Sequence, residues 1–541
     1  MESKRAQGAN PLQFLSTVKE SVAGAFMLAR ALPGFFREKI TVKQAEEDIR
    51  RALELRAETF LELARTRIYA DPGSPYLKLL KIARCEFSYL QTQVRRYGLE
   101  ATLEELAREG VYLTSDEFKG KKEVARGGRS FRVLPEDFER GASAAGFVTQ
   151  SSGTGGRPVS VVISLDWLAV RAFGHCVFFS AHDFFSYSHA LYDATLPGTA
   201  ATNNLLTYAK LGAAIDRWFA RKIPSTSKLA AGYHFLITYL IVLMGKVYGF
   251  GFPRPESIEI EDLHRIVQWV AEKNRQGGKC CITAAASSAV RIARLALEMG
   301  LSLQGTKFIV HGEPFTEAKR EVIIQSGAAV TPRYAFSGGG IVGFGCANPL
   351  FTDEIHVNQN LVTLVPHPRP LNDDSAIHPL LFTTVEPLAS RLLLNVENGD
   401  YATLEKRNCG CALERVGFTL HLHHIRSFEK FTSEGMNYFY GDLFEFFEKT
   451  LPSEFGGGPG EYQLVEEEDN GQTRLTLVVH PKVGAVDEAK LLLRLHGKLA
   501  QGSSANRFQS TVWQDAGTLR VRRQAPYASP TGKILPLHIS R

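Results

Sequence analysis

No stretch of this 541-residue sequence is apolar for long enough to cross a bilayer. The longest, Phe235 to Met244, falls well short of the roughly 20 residues a spanning helix needs, and it reads as a buried helix or strand. The N-terminus opens on charged residues, Met1-Glu2-Ser3-Lys4-Arg5, with no long apolar core or small-residue cleavage site behind them, which argues against a secretory signal. Cysteine is scarce and odd in number. The seven are Cys85, Cys176, Cys280, Cys281, Cys346, Cys409 and Cys411, a set that suits a reducing, cytoplasmic setting and leaves a metal site open. Charge of one sign is missing as well: 63 Lys and Arg against 57 Asp and Glu leave a net +6, scattered without a stripe, which argues against nucleic acid as a partner. No repeat of fixed period is visible.

What is present is ordinary soluble composition, 44% hydrophobic and 22% charged, over a length that implies two or more domains. Thr41-Val-Lys-Gln44 reads as a capping box opening a helix to about Tyr69, since apolar residues recur behind it at helical spacing. Pro72, Gly73 and Pro75 break it, a second helical run follows from Leu77 to Arg96, and Gly98 to Gly110 holds a short helix. Val22 to Phe36, with Arg30 and Arg37 near its end, is a minor candidate for contact with a membrane surface.

Val159 to Ile163 reads as a buried strand, and Asp166 begins an aromatic-rich helix. From Pro255 to Val330 helices alternate with short apolar strands, Cys281 to Ala284 and Phe308 to Val310. Such alternation implies a mixed or mainly parallel sheet covered on both faces. The C-terminal part changes style. Tyr462 to Glu466 and Arg474 to Val479 alternate around Asp469-Asn470-Gly471, a tight hairpin turn, and a helix spans about Asp487 to Ala500. The expected fold class is α/β, a large N-terminal α/β domain with helix-covered mixed sheets plus a small C-terminal α+β domain, with a boundary near Arg426 to Lys430. The expected divisions are a helical region 1–140, a large domain 141–428 and a small domain 429–541.

The chemistry gathers in a few segments. Phe147 to Val159 contains Ser151-Ser152-Gly153-Thr154-Gly155-Gly156-Arg157-Pro158. Glycines let the backbone approach an anion, hydroxyls donate to its oxygens, and bare N–H groups form a nest. It lacks the Gly-Lys-Ser/Thr ending of a Walker A loop, so a nucleotide would lie beside strands rather than over a helix start. Gly312-Glu313-Pro314 follows the apolar run Lys307 to Val310, at a strand's carboxyl end, where open α/β sheets bind ligands. Asn398-Gly399-Asp400 follows the strand-like Arg391 to Val396, and a carboxylate there can accept both ribose hydroxyls. Gly338-Gly-Gly340-Ile-Val-Gly343 satisfies the dinucleotide fingerprint, but Cys346, Asn348 and Pro349 interrupt the helix it requires. Cys409-Gly-Cys411 puts two thiolates within reach of one metal, and Cys346 with His356 would complete a tetrahedral Cys₃His zinc site. His421-x-His423-His424 reads as a strand with polar neighbours rather than as a ligand cluster.

In order, these segments resemble the adenylate-forming (acyl-CoA synthetase-like) superfamily, in particular its phenylacetate-coenzyme A ligase-like branch, from about Tyr69 to the end of the chain. The resemblance implies that the large domain binds nucleotide and that the small one is a mobile lid. It implies ATP-dependent activation of a small-molecule carboxylic acid to an acyl-adenylate, with Mg²⁺, then transfer to coenzyme A. Its alternatives are an acyl carrier protein or amine as acceptor, or a noncatalytic nucleotide- or acyl-binding descendant. It implies phosphate contacts from Ser151, Ser152, Gly153, Thr154, Gly155 and Gly156, and an adenine pocket lined by Glu313 and Pro314. Tyr334 would stack on adenine, Ser337 would contact the α-phosphate and Asp400 the ribose. Arg426 would touch ribose or phosphate beside a hinge at Glu429 or Lys430, and Lys533, in Gly532-Lys533 near the C-terminus, would be the catalytic residue. Members of the branch carry a similar Cys, His and Cys-x-Cys set, which implies structural Zn²⁺ on Cys346, His356, Cys409 and Cys411. Gly338 stands where the family has the glutamate that anchors Mg²⁺. A homodimer is compatible with this reading, and no transmembrane segment is expected.

Overall fold

The computed structural model describes residues 11–139, 145–150, 160–196, 198–221, 228–336, 340–368, 378–428, 430–433, 436–439, 443, 445–458, 460–501, 504–527 and 537–539. Two small antiparallel pairs come first, β1 (Val124–Arg126) with β2 (Arg129–Phe131), and β3 (Gly146–Gln150) with β4 (Ser160–Ser164). β4 is the expected strand after the Ser/Thr/Gly run, and Ile163 is buried in it.

A 12-stranded sheet forms the body. Its parallel half is β5 (Ser188–Tyr192), β6 (Ile215–Ala220), β7 (Pro255–Ser257), β8 (Cys280–Ala285), β9 (Thr306–His311) and β10 (Ala329–Phe336). Its antiparallel half is β11 (Gly340–Gly345), β12 (Ile355–Val357), β13 (Val362–Pro366), β14 (Pro379–Thr384), β15 (Val396–Lys406) and β16 (Leu420–Ser427). The order is β13-β14-β15-β16-β12-β11-β10-β9-β8-β5-β6-β7. β8 is buried at every residue, as a parallel strand covered on both faces must be. A further pair, β17 (Lys430–Ser433) with β18 (Met436–Phe439), precedes the C-terminal sheet. There β19 (Tyr462–Asp469), β20 (Gln472–Val479), β21 (Leu519–Arg523) and β22 (Leu537–Ile539) lie in the order β21-β20-β19-β22. This sheet has its own core, from Leu443 and Phe447 through Tyr462, Leu477, Leu495 and Trp513, and forms the smaller C-terminal unit.

The helices follow their sequence signals in most places. Thr41 caps Val42–Leu63 by accepting from the Gln44 N–H, and the helix continues in π form through Ala64–Tyr69. The aromatic-rich helix Leu165–Ala181 is capped by Ser164 and packs its rings in the core. Asn470 and Gly471 both take positive φ, 53° and 72°, as the hairpin turn requires.

Three expectations change. The helical run from Leu77 to Arg96 is two helices, Pro75–Ile82 and Phe87–Tyr97, because Arg84 takes a φ of 56° between them. Asn398 to Asp400 lie inside β15, at Gly399 with φ +86°, whereas the preceding Arg391 to Asn395 is not strand. Phe235 to Met244 belongs to the helix Lys228–Val247, which buries Ile237, Ile241 and Val242 but exposes Phe235, Leu236 and Leu243. A helix resting on a core with one face leaves the other outside. Among the described residues, no helix is long and apolar enough to cross a membrane.

Candidate functional site

From β5 the chain moves outward through β6 and β7, then returns to β8 on the other side of β5 and proceeds through β9 to β10. That reversal is a topological switch point, outside whose strand ends α/β sheets bind ligands. His311, the last residue of β9, places Nε2 3.2 Å from Oδ2 of Asp193, the residue after β5. Sequence reasoning gave neither a role. His311 opens the His-Gly-Glu-Pro segment and so carried a signal, whereas Asp193 belongs to no motif. Beyond it Gly312 turns the chain at φ +81°, and the Glu313 carboxylate folds inward with no exposure. It accepts from Ser287 Oγ at 2.6 Å and lies 3.7 Å from Lys319 Nζ, which donates to the Pro314 carbonyl at 2.8 Å. The carboxylate therefore holds the turn together, which leaves the backbone of Glu313 and Pro314 at the strand end.

At the end of β10, Tyr334 Oη donates to Asp400 Oδ2 at 2.6 Å. Asn398 Nδ2 reaches both, 2.8 Å from the phenol oxygen and 2.9 Å from Oδ2, and the Asp400 N–H closes the ring on Asn398 Oδ1 at 3.0 Å. Burial, and then the Asp400 charge, push the Tyr334 phenol well above its ordinary value, so it stays a donor. The bulge between Tyr401 and Thr403 and the turn at Gly399 aim Asp400 toward β10. Tyr334 and Asp400, which the resemblance assigns to adenine and ribose, are thus brought together. Arg426 lies opposite Tyr401 on β16, but its guanidinium is tied 2.9 Å from Asp353 Oδ2. Asp353 also accepts the N–H groups of His424 and Ile425, at 2.9 and 2.8 Å. Ser151 to Gly156, Ser337, Gly338, Glu429 and Lys533 lie outside the described residues. Their neighbours are placed: Gln150 pairs with Ser160 at the end of the β3–β4 ribbon that leads into and out of 151–159, and Phe336 and Gly340 flank 337–339. Gly340 to Gly345 form a strand antiparallel to β10, which rules out the helix of a dinucleotide fingerprint.

A second cluster sits at the far end of β11. The ligand atoms of Cys346, His356, Cys409 and Cys411 all lie within 4.8 Å of one another. His356 Nδ1 is 2.6 Å from the Phe418 carbonyl, which fixes the proton there and turns the Nε2 lone pair to the thiols, 3.5 Å from Cys409 Sγ and 3.2 Å from Cys411 Sγ. Cys346 and then His356 hold the Cys411 thiol well below its ordinary range, while Cys411 and burial raise Cys346. The donors fit a tetrahedral Cys₃His zinc site, with one ring proton held by a carbonyl as metal-binding imidazoles require. Cys346, Glu354 and His421 form an adjoining set. The Glu354 carboxylate, however, is held by His421 Nδ1 at 2.6 Å and by Arg407, so it buttresses the cluster. His423 stacks on Phe351 at 4.0 Å and contacts His424, which makes the His-rich stretch a strand with polar neighbours, as expected.

No protein-family model and no curated protein sequence matches the chain. Solved structures do. A 2-hydroxyisobutyryl-CoA ligase, in complex with its acyl-AMP and CoA, superposes with a TM-score of 0.51 at 15% identity, covering 93% of this chain and 91% of its own. A Mycobacterium tuberculosis fatty acyl CoA synthetase matches at a TM-score of 0.32 and 13% identity, over 73% of this chain and 67% of that one. An NRPS protein containing adenylation and PCP domains matches at 0.41 and 13%, over 76% and 61%. On the near-complete match to the first of these, the chain has the fold of the adenylate-forming enzymes.

Proposed function

We propose that the protein is an ATP-dependent ligase that converts a carboxylic acid to its acyl-adenylate and passes the acyl group to a thiol, coenzyme A. The observation that carries this is the Tyr334–Asn398–Asp400 ring at the carboxyl end of β10. It is a preorganised carboxylate and phenol pair for ribose and adenine, in a fold shared along its length with an acyl-CoA ligase. In this reading Ser151, Ser152, Gly153, Thr154, Gly155 and Gly156 cradle the β- and γ-phosphates, Ser337 meets the α-phosphate, and the backbone of Glu313 and Pro314 borders adenine. Arg426 would reach ribose or phosphate by exchanging Asp353. Lys533 bridges the attacking carboxylate and the α-phosphate, stabilising charge on the pentacovalent transition state.

The divisions 1–140, 141–428 and 429–541 belong to this proposal, with 429–541 as a lid that turns about Glu429 or Lys430 between the two half-reactions. Gly338 offers no carboxylate, so Mg²⁺ would be held by phosphate oxygens and water. Zinc on Cys346, His356, Cys409 and Cys411 is structural, since four protein ligands leave no open position. The thiol cluster also favours the phenylacetate-coenzyme A ligase-like branch. The test is ATP–pyrophosphate exchange against a panel of carboxylic acids, followed by thioester formation with coenzyme A. Acid-dependent exchange is expected, and a protein that binds ATP but exchanges pyrophosphate with no acid refutes the ligase reading.

A further inference from the structure

Two arginines lie in the interior with no carboxylate paired to them among the described residues. Arg171, on the helix Leu165–Ala181, and Arg333, on β10, are each 6% exposed. Arg333 Nη1 donates to Asn204 Oδ1 at 3.0 Å and to His175 Nε2 at 3.3 Å, and its Nε has no partner. His175 Nδ1 lies 2.9 Å from the Arg171 carbonyl, so the ring proton sits on Nδ1 and Nε2 is the acceptor. Burial, then Arg333, hold the ring well below its ordinary value, so it is neutral. Arg171 Nε is unpartnered as well, and the ring of Trp167 lies 5.8 Å from its Cζ. Asn204 Nδ2 and both polar atoms of the fully buried Asn358 are also open. Asn358 Oδ1 lies only 3.2 Å from where a Cβ on Gly174 would stand, so it faces the same helix. Among the described residues no Asp or Glu pairs with either guanidinium.

Such an arrangement is costly by itself. A buried charge is tolerated when paired, and an unpaired one costs several kcal/mol. Two like charges beside each other add to that cost, and burial with Arg333 lowers Arg171 to about 9. The described residues supply no counter-charge, and an anion from outside the chain would supply it.

The position identifies its source. Arg333 precedes Tyr334, and by strand alternation the two face opposite sides of the sheet. Arg171 Nε is 3.6 Å from the Cβ position of Gly340, the residue following 337–339. An anion held there would thus lie near Gly340, across β10 from Tyr334 and Asp400. The reacting carboxylate is a poor candidate, because it loses its charge on becoming an anhydride, and clamping the ground state would oppose the step. A second carboxylate keeps its charge throughout. Resting on the ligase reading above, we infer that Arg171 and Arg333, with Asn204 and Asn358, bind the distal carboxylate of a dicarboxylic acid whose other carboxylate is activated.

The experiment uses the full chain with straight-chain dicarboxylates of three to six carbons and monocarboxylates of the same lengths. Thermal unfolding and ATP–pyrophosphate exchange are both read. At least one dicarboxylate should raise Tm and support exchange, with its monocarboxylate on the order of a hundredfold weaker. Arg171→Met should erase that preference while raising the Tm of the ligand-free protein, since it removes an unpaired buried charge. Arg333→Lys, which keeps a charge, should retain part of the preference. Exchange driven equally by monocarboxylates, or a lower ligand-free Tm in Arg171→Met, overturns the anion site while leaving the ligase reading intact. A dicarboxylate-dependent Tm shift that vanishes in Arg171→Met, with no exchange by any acid, supports the site and rejects the ligase.

Discussion

Tyr334 and Asp400 stand 66 positions apart in sequence and 2.6 Å apart in space. Tyr334→Phe would remove the phenol donor and leave Asp400, 4% exposed, with Asn398 on that oxygen. Loss of one partner to a buried charge costs about 1–3 kcal/mol. Calorimetric ATP affinity should fall and Tm should drop modestly; unchanged values would show that the ring supports neither nucleotide nor fold. The thiol cluster is the second case at this scale. Cys411→Ser replaces the thiolate that accepts from Cys346 and faces His356. Elemental analysis of protein purified without chelator should give one zinc per chain in the wild type and less in the variant, with stability lower by at least ~2 kcal/mol. A wild type free of metal and equally stable argues against the site. Tyr334 and Asp400 were legible as candidates through the order of the family-like segments, and the Cys and His cluster through Cys409-Gly-Cys411. Arg171 and Arg333 were not, since a single arginine in a helix or strand reads as surface until burial is known.

The C-terminal hairpin shows what whole elements add. Glu467 on β19 takes Arg522 through both oxygens, at 2.6 and 2.9 Å, and Arg520 at 2.8 Å. Burial raises its pKa, but Arg522, Thr476 and Arg520 outweigh it and hold the carboxyl below its ordinary 4.5. A carboxyl depressed in the folded state stabilises above its unfolded pKa, and that stability is lost as pH falls through the folded value. Glu467→Gln should therefore cost ~1 kcal/mol at pH 7, a small figure because both arginines are over a third exposed. The gap from wild type should narrow in denaturant titrations as pH falls below about 4.5. A gap independent of pH would place the effect in packing.

The turn of the same hairpin docks on the large unit. A Cβ on Gly471 would lie 3.0 Å from the Ala318 carbonyl oxygen and 3.3 Å from Lys319 Cα, and Gly471 holds φ +72°. Gly471→Ala should cost about 1–2 kcal/mol. It should also raise hydrogen exchange in the helix Glu317–Gln325 without disturbing β8. No change there would mean that the turn yields freely.

Across the whole molecule, contacts at Gln472 to Ser287 (3.3 Å), Arg291 to Ala516 (2.9 Å) and Thr316 to Glu468 (2.6 Å) join the C-terminal sheet to the helices behind Glu313. These bonds, with that of Arg294 to the Asn470 carbonyl, are polar, the kind the proposed lid would exchange during a cycle. If Lys533 is delivered to the α-phosphate by that lid, Lys533→Ala should lower pyrophosphate exchange on the order of a hundredfold or more, leaving ATP affinity and Tm near wild type. Wild-type exchange in the variant removes Lys533 from the mechanism.

Read along the chain alone, the residues carry the α/β class, a separate smaller C-terminal unit, the hairpin turn at Asn470-Gly471 and the Cys and His residues that could hold a metal. These depend on local periodicity, turn chemistry and the spacing of a few reactive side chains, all written along the chain. Tertiary structure decided the rest. It turned the Glu313 carboxylate inward onto Ser287 and Lys319, tied Arg426 to Asp353 and set Asn398 to Asp400 within a strand. It also buried Arg171 and Arg333 with no acid paired to either among the described residues. Whether a charged group meets water, a partner or an empty position depends on which distant elements pack around it, and that is fixed only when the strands take their order in the sheet.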